Sequence, residues 1–364
     1  MIYIVCFFLS MFFAGLAQNA YKKSKVMGNL FSAIAILIPS ILAGIRTTDI
    51  GIDVDVYVNN NFMWATHHTS FFVFVSRVNS DFLYLALNFF VSRFTNNLNI
   101  FLFIVQLINT VLVYLYIYSK KDKHSMAMMY AIYLFIFYNS SLNLVRQSLA
   151  LSTVIFSFKY VDSQQKFKYY LTNFIAILFH SSAIVALPIY YLANMKNSKN
   201  NKYFKLIIII VLMLGIVLYK DILILFINLG ILPSKYMAYL GLYARTSLNL
   251  NLAASGFCLI WIIIFFLVSK KDETNNSYRN YFMIIGLIFI QLSSFVEFAD
   301  RVSYYYIIPC YMLGDKSIEY FFVKSKKSSF AAKVLLMSLL LFYWYFTFVH
   351  FNTGETIPYV SIFD

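Results

Sequence analysis

Residues 45–57, IRTTDIGIDVDVY, place one arginine and three aspartates in a short stretch that directly follows an apolar run. Arginine presents a planar, permanently charged fork that grips an oxyanion at two points. Arg46 is therefore a candidate for holding a phosphate or carboxylate. Gly51 permits a sharp turn. Asp53, Asp55 and Tyr57 alternate, so an extended chain would point all three to one side. The competing reading is an ordinary solvated loop with a local Arg–Asp pair.

Four further stretches carry residues of the same kind. In NSSLNLVRQ (139–147), Asn139, Asn143, Arg146 and Gln147 recur at helical spacing where an apolar span begins. Polar and ionisable groups in membrane helices face a bundle interior or a watery cavity; a capping turn between helices is the plainer reading. In VEFADRVSYYY (296–306), Glu297 and Arg301 stand four apart as a helical ion pair would, and Asp300 and Tyr305 extend the polar patch. His180 interrupts the apolar AILFHSSAI, where a lone histidine is more often structural than catalytic. Arg245 lies in KYMAYLGLYARTSLNL, whose tyrosines 236, 239 and 243 suit either an interfacial belt or a groove for a sugar or its diphosphate. His67 and His68 are too isolated to argue for a metal. Cys6, Cys258 and Cys310 fall far apart in apolar runs, so neither a disulfide framework nor a zinc site is indicated. No cofactor is called for.

The elements that must position these residues follow from composition. The 364 residues are 61% hydrophobic and 12% charged, with a mean hydropathy of +0.72. So little polar surface excludes a soluble domain and predicts an all-α polytopic membrane protein. Runs near the roughly 20 residues that a bilayer crossing needs lie at 2–17, 28–45, 98–118, 125–139, 143–160, 255–269, 279–296, 302–321 and 331–349. The first has no basic n-region and reads as a retained span rather than a signal peptide.

Lysines cluster at 21–25, 119–123, 164–168, 195–205, 269–272 and 323–329, and the positive-inside rule makes those loops cytoplasmic. Threading spans between them gives about twelve crossings in a single integral domain, 1–364. The extracytoplasmic loops then lie near 46–97 and 232–254. Residues 167–192 are too short for two full spans and read in preference as a pair of half-helices turning at His180-Ser181-Ser182, a form tolerated where it lines a cavity; the alternative is a single crossing, which leaves four lysines outside and demands a span from the eleven residues 221–231. With this threading six of the seven arginines, Arg46, Arg77, Arg93, Arg146, Arg245 and Arg301, face outward, whereas nearly all 22 lysines face inward. Lysine alone would serve orientation, so the outward arginines suggest an anion to be held. For Arg77 and Arg93 local pairing is the favoured reading.

The order RTTDIGIDVDVY, NLVRQSLALS, LFHSSAIVALPIY, DRVSYYY and finally IPY resembles the EpsG/Wzy-type polysaccharide polymerases, bacterial inner-membrane glycosyltransferases. The resemblance spans most of the chain. The family pattern matches Arg46, Gly51, Asp53 and Tyr57, then Arg146 and Gln147, then His180, Ser181 and Ser182; Arg245 has no such match. The resemblance implies a GT-C-like helical fold that polymerises O-antigen or capsule repeat units at the outer face of the membrane. Donor and acceptor would both be polyprenyl-diphosphate-linked oligosaccharides. The partners would be membrane lipids and a chain-length regulator, with no nucleic acid involved. Cations would neutralise the departing lipid diphosphate, a task for Arg46 and Arg146, with Arg301, Arg245, Gln147, Asn143, Tyr57, Asp300 and Tyr305 binding substrate. A base would take the proton of the attacking hydroxyl, and the watery setting of Asp53 favours it narrowly over His180.

A lipid-linked oligosaccharide flippase is the rival from another class, but it should carry cations along a route reaching both leaflets. An O-antigen ligase would run the same chemistry onto a different acceptor. A non-catalytic scaffold leaves the polar clusters unexplained.

Overall fold

The computed structural model describes residues 1–195, 218–229, 252–269, 278–293, 299–322 and 326–364, with scattered positions between 203 and 214. Among them the regular elements are helices. The chain opens on α1 (Ile2–Ala20) and α2 (Lys25–Gly44), then passes through a π-helical turn, Val54–Asn59, into α3 (Asn60–His67), α4 (Phe71–Arg77) and α5 (Phe82–Ser92). Next come α6 (Leu98–Ser119), α7 (Met126–Tyr133), α8 (Asn139–Asn143), α9 (Val145–Asp162) and α10 (Lys166–Phe179). Later helices are α11 (Ile189–Asn194), α12 (Tyr219–Asn228), α13 (Leu252–Ser269), α14 (Tyr278–Leu292), α15 (Ala299–Met312), α16 (Gly314–Phe322) and α17 (Lys326–Trp344). Two compact units result: residues 1–187 with 311–364, and residues 188–310.

Helices α1, α2, α6 and the continuous run Phe330–His350 are each long and apolar enough to cross a bilayer, and shorter apolar helices accompany them. The protein is thus an all-helical membrane protein. Val5, Phe8 and Phe12 of α1 and Leu37 and Ile41 of α2 are exposed. In water such ridges would be an aggregation liability; against lipid they are the expected surface.

Apolarity alone does not decide where the helices break. The run 125–139 divides into α7 and a π-helical turn, Leu134–Tyr138, before α8. Pro39 sits inside α2; lacking an N–H, it leaves the carbonyl of Ala35 without its helical donor. The hydroxyl of Tyr130 donates to that carbonyl at 3.1 Å, so a partner from α7 satisfies the gap where no water is available. Tyr138 likewise donates to the carbonyl of Pro39, at 2.6 Å. The tyrosines of this region fasten α2 to its neighbours.

Residues 46–97, expected as a loop, are largely helical. Phe62, Phe74 and Tyr84 are fully buried in a cluster with Phe101, Leu102 and Val105 of α6. Short amphipathic helices bury their aromatic faces on a span, which the apolar-run criterion overlooks because no single segment is long enough to cross. Arg93 serves this packing. It donates to the carbonyl of Ala65 at 2.6 Å and lies 4.3 Å from the ring centroid of Phe89, in keeping with a local role.

The segment after α9 folds back as a broken hairpin. Helix α10 spans about 21 Å at 1.5 Å per residue, short of a hydrocarbon core. It ends at Phe179, His180 is extended, and a 3-10 turn, Ser181–Ala186, returns so that Tyr169 donates to the carbonyl of Ala186 at 2.6 Å.

Contacts sort the first unit into two ends. At one, Thr47 and Ile362 make backbone bonds to Val360 and Ile45, and Tyr3 donates to the carbonyl of Thr356. At the other, Lys120 pairs with Asp162, Gln18 reaches the carbonyls of Lys121 and His124, and His124 meets Asp315 at 2.6 Å. The lysine-rich turns at 21–25, 119–123 and 164–168 lie at this second end. In the other unit, α13 and α14 are joined by Cys258, whose thiol donates to the carbonyl of Met283 at 3.5 Å.

Candidate functional site

The residue that gathers the candidate site is Asp81, which the motifs leave unmarked. It occupies the N-cap position of α5, yet its carboxylate makes no capping bond. Its Oδ2 accepts from Arg146 Nη1 at 3.2 Å and lies 3.1 Å from His180 Nδ1, while Oδ1 accepts the backbone N–H of Ser181 at 3.2 Å. Arg146 Nη1 also donates to Ser80 Oγ at 3.0 Å. Residues 65 and 99 positions away in sequence thus meet on one carboxylate. Burial pushes the Asp81 carboxyl up. The hydrogen bond and charge of His180, the Arg146 guanidinium and the Ser181 N–H outweigh burial and hold it below its ordinary value. Asp81 is ionised at neutral pH.

Only one corner of the Arg146 fork is engaged. Its Nε and Nη2 have no hydrogen-bond partner among the described residues, and its side chain is 33% exposed. Tyr84 lies beneath it, ring centroid 6.0 Å from the guanidinium carbon. The same holds for His180: Nδ1 is committed to Asp81 and Nε2 has no partner among the described residues. A held guanidinium edge, a free edge and a held imidazole with an available nitrogen suit an incoming anion and a proton to be removed.

Asp53 stands nearby, coupled electrostatically to the same Tyr84. Its backbone N–H donates to Asn143 Oδ1 at 2.8 Å. The alternation expected of Asp53, Asp55 and Tyr57 does not hold, because the chain turns helical after Asp53. Residues two apart in a helix fall on opposite sides, so Asp55 points away from Asp53. Tyr57 is 53% exposed.

The polar stripe expected over 139–147 is also divided. Leu144, at φ −82° and ψ 56°, breaks the helix between α8 and α9. Asn139 then bonds Thr356 Oγ1 at 3.0 Å and Trp344 Nε1 at 2.8 Å, Asn143 holds the Asp53 loop, and Arg146 turns to Asp81. Gln147 is buried. Each residue has a separate duty that helical periodicity does not foretell.

Arg46 is not brought to Asp81 by any contact among the described residues. It is 2% exposed, its Nε and Nη1 lack partners, and its charge is felt by the phenols of Tyr3, Tyr138 and Tyr359. All three phenols donate to carbonyls instead, those of Thr356, Pro39 and Leu42. Residue 46 also forms a bridge with Ser361, so the C-terminal segment closes over it. Such an uncompensated buried cation stabilises nothing by itself. Arg46→Met is therefore expected to leave the melting temperature in detergent unchanged or raised. A fall of several degrees in a fluorescence melt would mean that the guanidinium is a structural tie.

Asp300, Arg301 and Tyr305 lie on α15, with Tyr305 fully buried and the other two half-buried. Arg245 and Glu297 lie outside the described residues. Among the described residues no three His, Cys, Asp or Glu side chains gather as metal ligands.

The EpsG family model matches residues 29–361, nearly the whole chain. The protein belongs to the EpsG family. This is a Wzy-type polymerase-like family of polysaccharide biosynthesis. No curated protein and no solved structure matches the chain. EpsG membership covers every piece of the Arg146 site, from Ser80 and Asp81 through His180. The signal in sequence that could have found Asp81 is a Ser-Asp pair directly before the apolar FLYLAL. It reads as a helix cap, and only the turned-away carboxylate marks it as something more.

Proposed function

We propose that this EpsG-family protein is a glycosyltransferase that polymerises polyprenyl-diphosphate-linked oligosaccharides at the outer face of the bacterial inner membrane. The growing chain moves from its lipid carrier to the non-reducing end of a new lipid-linked unit. The observation that carries this reading is the half-engaged Arg146 fork beside His180, the two held on the one carboxylate of Asp81. The free edge of the guanidinium takes two oxygens of the leaving diphosphate, and a neighbouring base takes the proton of the attacking hydroxyl. Asp53 and His180 are the two proposed acceptors of that proton. Tyr57, Gln147 and Asn143 are proposed contacts for sugars and diphosphate, and in the unit 188–310 Asp300, Arg301, Tyr305 and Arg245 have the same proposed role; Arg46, closed under the C-terminal segment, is a second cation that acts on the anionic carrier by its charge rather than by contact. The fold would be GT-C-like, with about twelve crossings in all and a chain-length regulator as neighbour.

Deletion of the gene tests the reading. Loss of long surface chains with a single repeat unit retained on the core supports a polymerase; complete absence of substituted core would point to a flippase or a ligase.

Orientation is tested separately. In a background lacking Cys6, Cys258 and Cys310, a cysteine at position 353 is expected to react with an impermeant thiol reagent on whole cells, and cysteines at 22 and 121 are not. Labelling at 22 or 121 would reverse the map.

A further inference from the structure

Asp81 and His180 carry a consequence for the choice of base. The carboxylate is doubly anchored: Ser181 N–H holds Oδ1, and Arg146, itself held by Ser80 Oγ, holds Oδ2. With Oδ2 ionised and accepting only, the imidazole nitrogen 3.1 Å away must be the one bearing hydrogen. In the neutral ring the other nitrogen, Nε2, then carries the lone pair. His180 is extended at the break of the hairpin, outside any helix, and 26% exposed. Its ring is reachable from solvent, while its orientation is fixed from behind.

Resting on the glycosyltransferase reading above, we infer that Asp81 is the positioning residue of His180, locking the Nδ1–H tautomer so that Nε2 is the general base of the reaction. The acceptor hydroxyl oxygen attacks the anomeric carbon, forming the new glycosidic bond, and its proton passes to Nε2. The bond from that carbon to the diphosphate oxygen breaks, and its electron pair leaves with the lipid diphosphate onto the free edge of Arg146. The imidazolium later loses its proton to water. Asp81 gains no proton at any point; it orients the ring and opposes the transient positive charge. Asp53 is left to accept hydrogen bonds from the sugar.

The tautomer is measured on the unmodified protein. Purified full-length protein labelled with nitrogen-15 histidine, compared with His180→Gln to assign the signal, is expected to show His180 with hydrogen on Nδ1. Hydrogen on Nε2 in the resting protein overturns the inference even if Asp81→Asn fails to fold. Asp81→Asn should slow single-turnover chain transfer between lipid-linked units by about 10²–10⁴-fold, with lipid diphosphate binding little changed and the tautomer signal altered. Introduced into His180→Gln, the same change should alter the residual rate by no more than about twofold. An equal loss in both backgrounds, or weakened diphosphate binding with an unchanged rate, would assign Asp81 to Arg146 instead. Asp53→Asn with a large loss and His180→Gln with none would return the base to Asp53. If the unmodified protein transfers no chain at all, the glycosyltransferase reading fails, and the tautomer still reports on the Asp81–His180 pair independently.

Discussion

Arg146→Ala is expected to lower single-turnover transfer by about 10²–10³-fold, the scale of losing one preorganised donor to a developing oxyanion. The substitution removes both the edge held by Ser80 and Asp81 and the edge left for the ligand. Arg146→Lys should recover little, because an ammonium keeps the charge but not the fork. The protein should remain folded in both variants. Asp81 keeps the Ser181 N–H and the imidazole of His180, so its carboxylate is not stranded. Rates from purified protein with lipid-linked units, set beside melting curves, check this. Normal polymer from both variants would reduce Arg146 to a cap on α9.

Gly51→Ala is expected to damage fold and function together. Gly51 has φ +93°, which side chains rarely adopt, and an added Cβ would come within 2.9 Å of the Leu142 carbonyl oxygen and 3.1 Å of Asn143 Cα. Both obstacles are backbone, so neither can swing aside. The strained conformation alone costs about 1–3 kcal/mol. Relief requires moving the turn that donates from Gly51 to the Glu355 carbonyl and from Asp53 to Asn143. A lowered melting temperature and at least a tenfold loss of polymer should follow. The control is Gly256→Ala, whose Cβ meets nothing within 4 Å; helix propensity there favours alanine. A harmless Gly51→Ala would mean that the loop bearing Asp53 is positioned by other contacts.

At Gly51 motif and structure divide the explanation between them. The sequence marks Gly51 as a turn next to an aspartate, but it does not show what the turn must clear. That is the backbone at Leu142 and Asn143, some 90 positions later, where a helix breaks. The C-terminal IPY behaves in the same way. Tyr359 packs edge-on to Tyr3 at 5.3 Å and donates to the carbonyl of Leu42, so a motif at the end of the chain serves to close over Arg46 near its beginning.

Local pattern was enough for the membrane class, the long spans α1, α2 and α6, the break at His180 and the separation of the lysines at 21–25 and 119–123 from the Arg46 end. These depend on local quantities: the apolar length needed to replace water, the loss of helical hydrogen bonding at a polar step, and the charge of a short turn. Tertiary structure alone decided that 46–97 packs as helices, that Asn143 and Arg146 part company at Leu144, and that Asp81 is the common partner of Arg146 and His180. A carboxylate at the head of an apolar helix has the same local energy whether it caps that helix or turns away. Two donors brought from 65 and 99 residues off tip the balance, and their arrival depends on how α5, α9 and α10 pack, which no local pattern encodes.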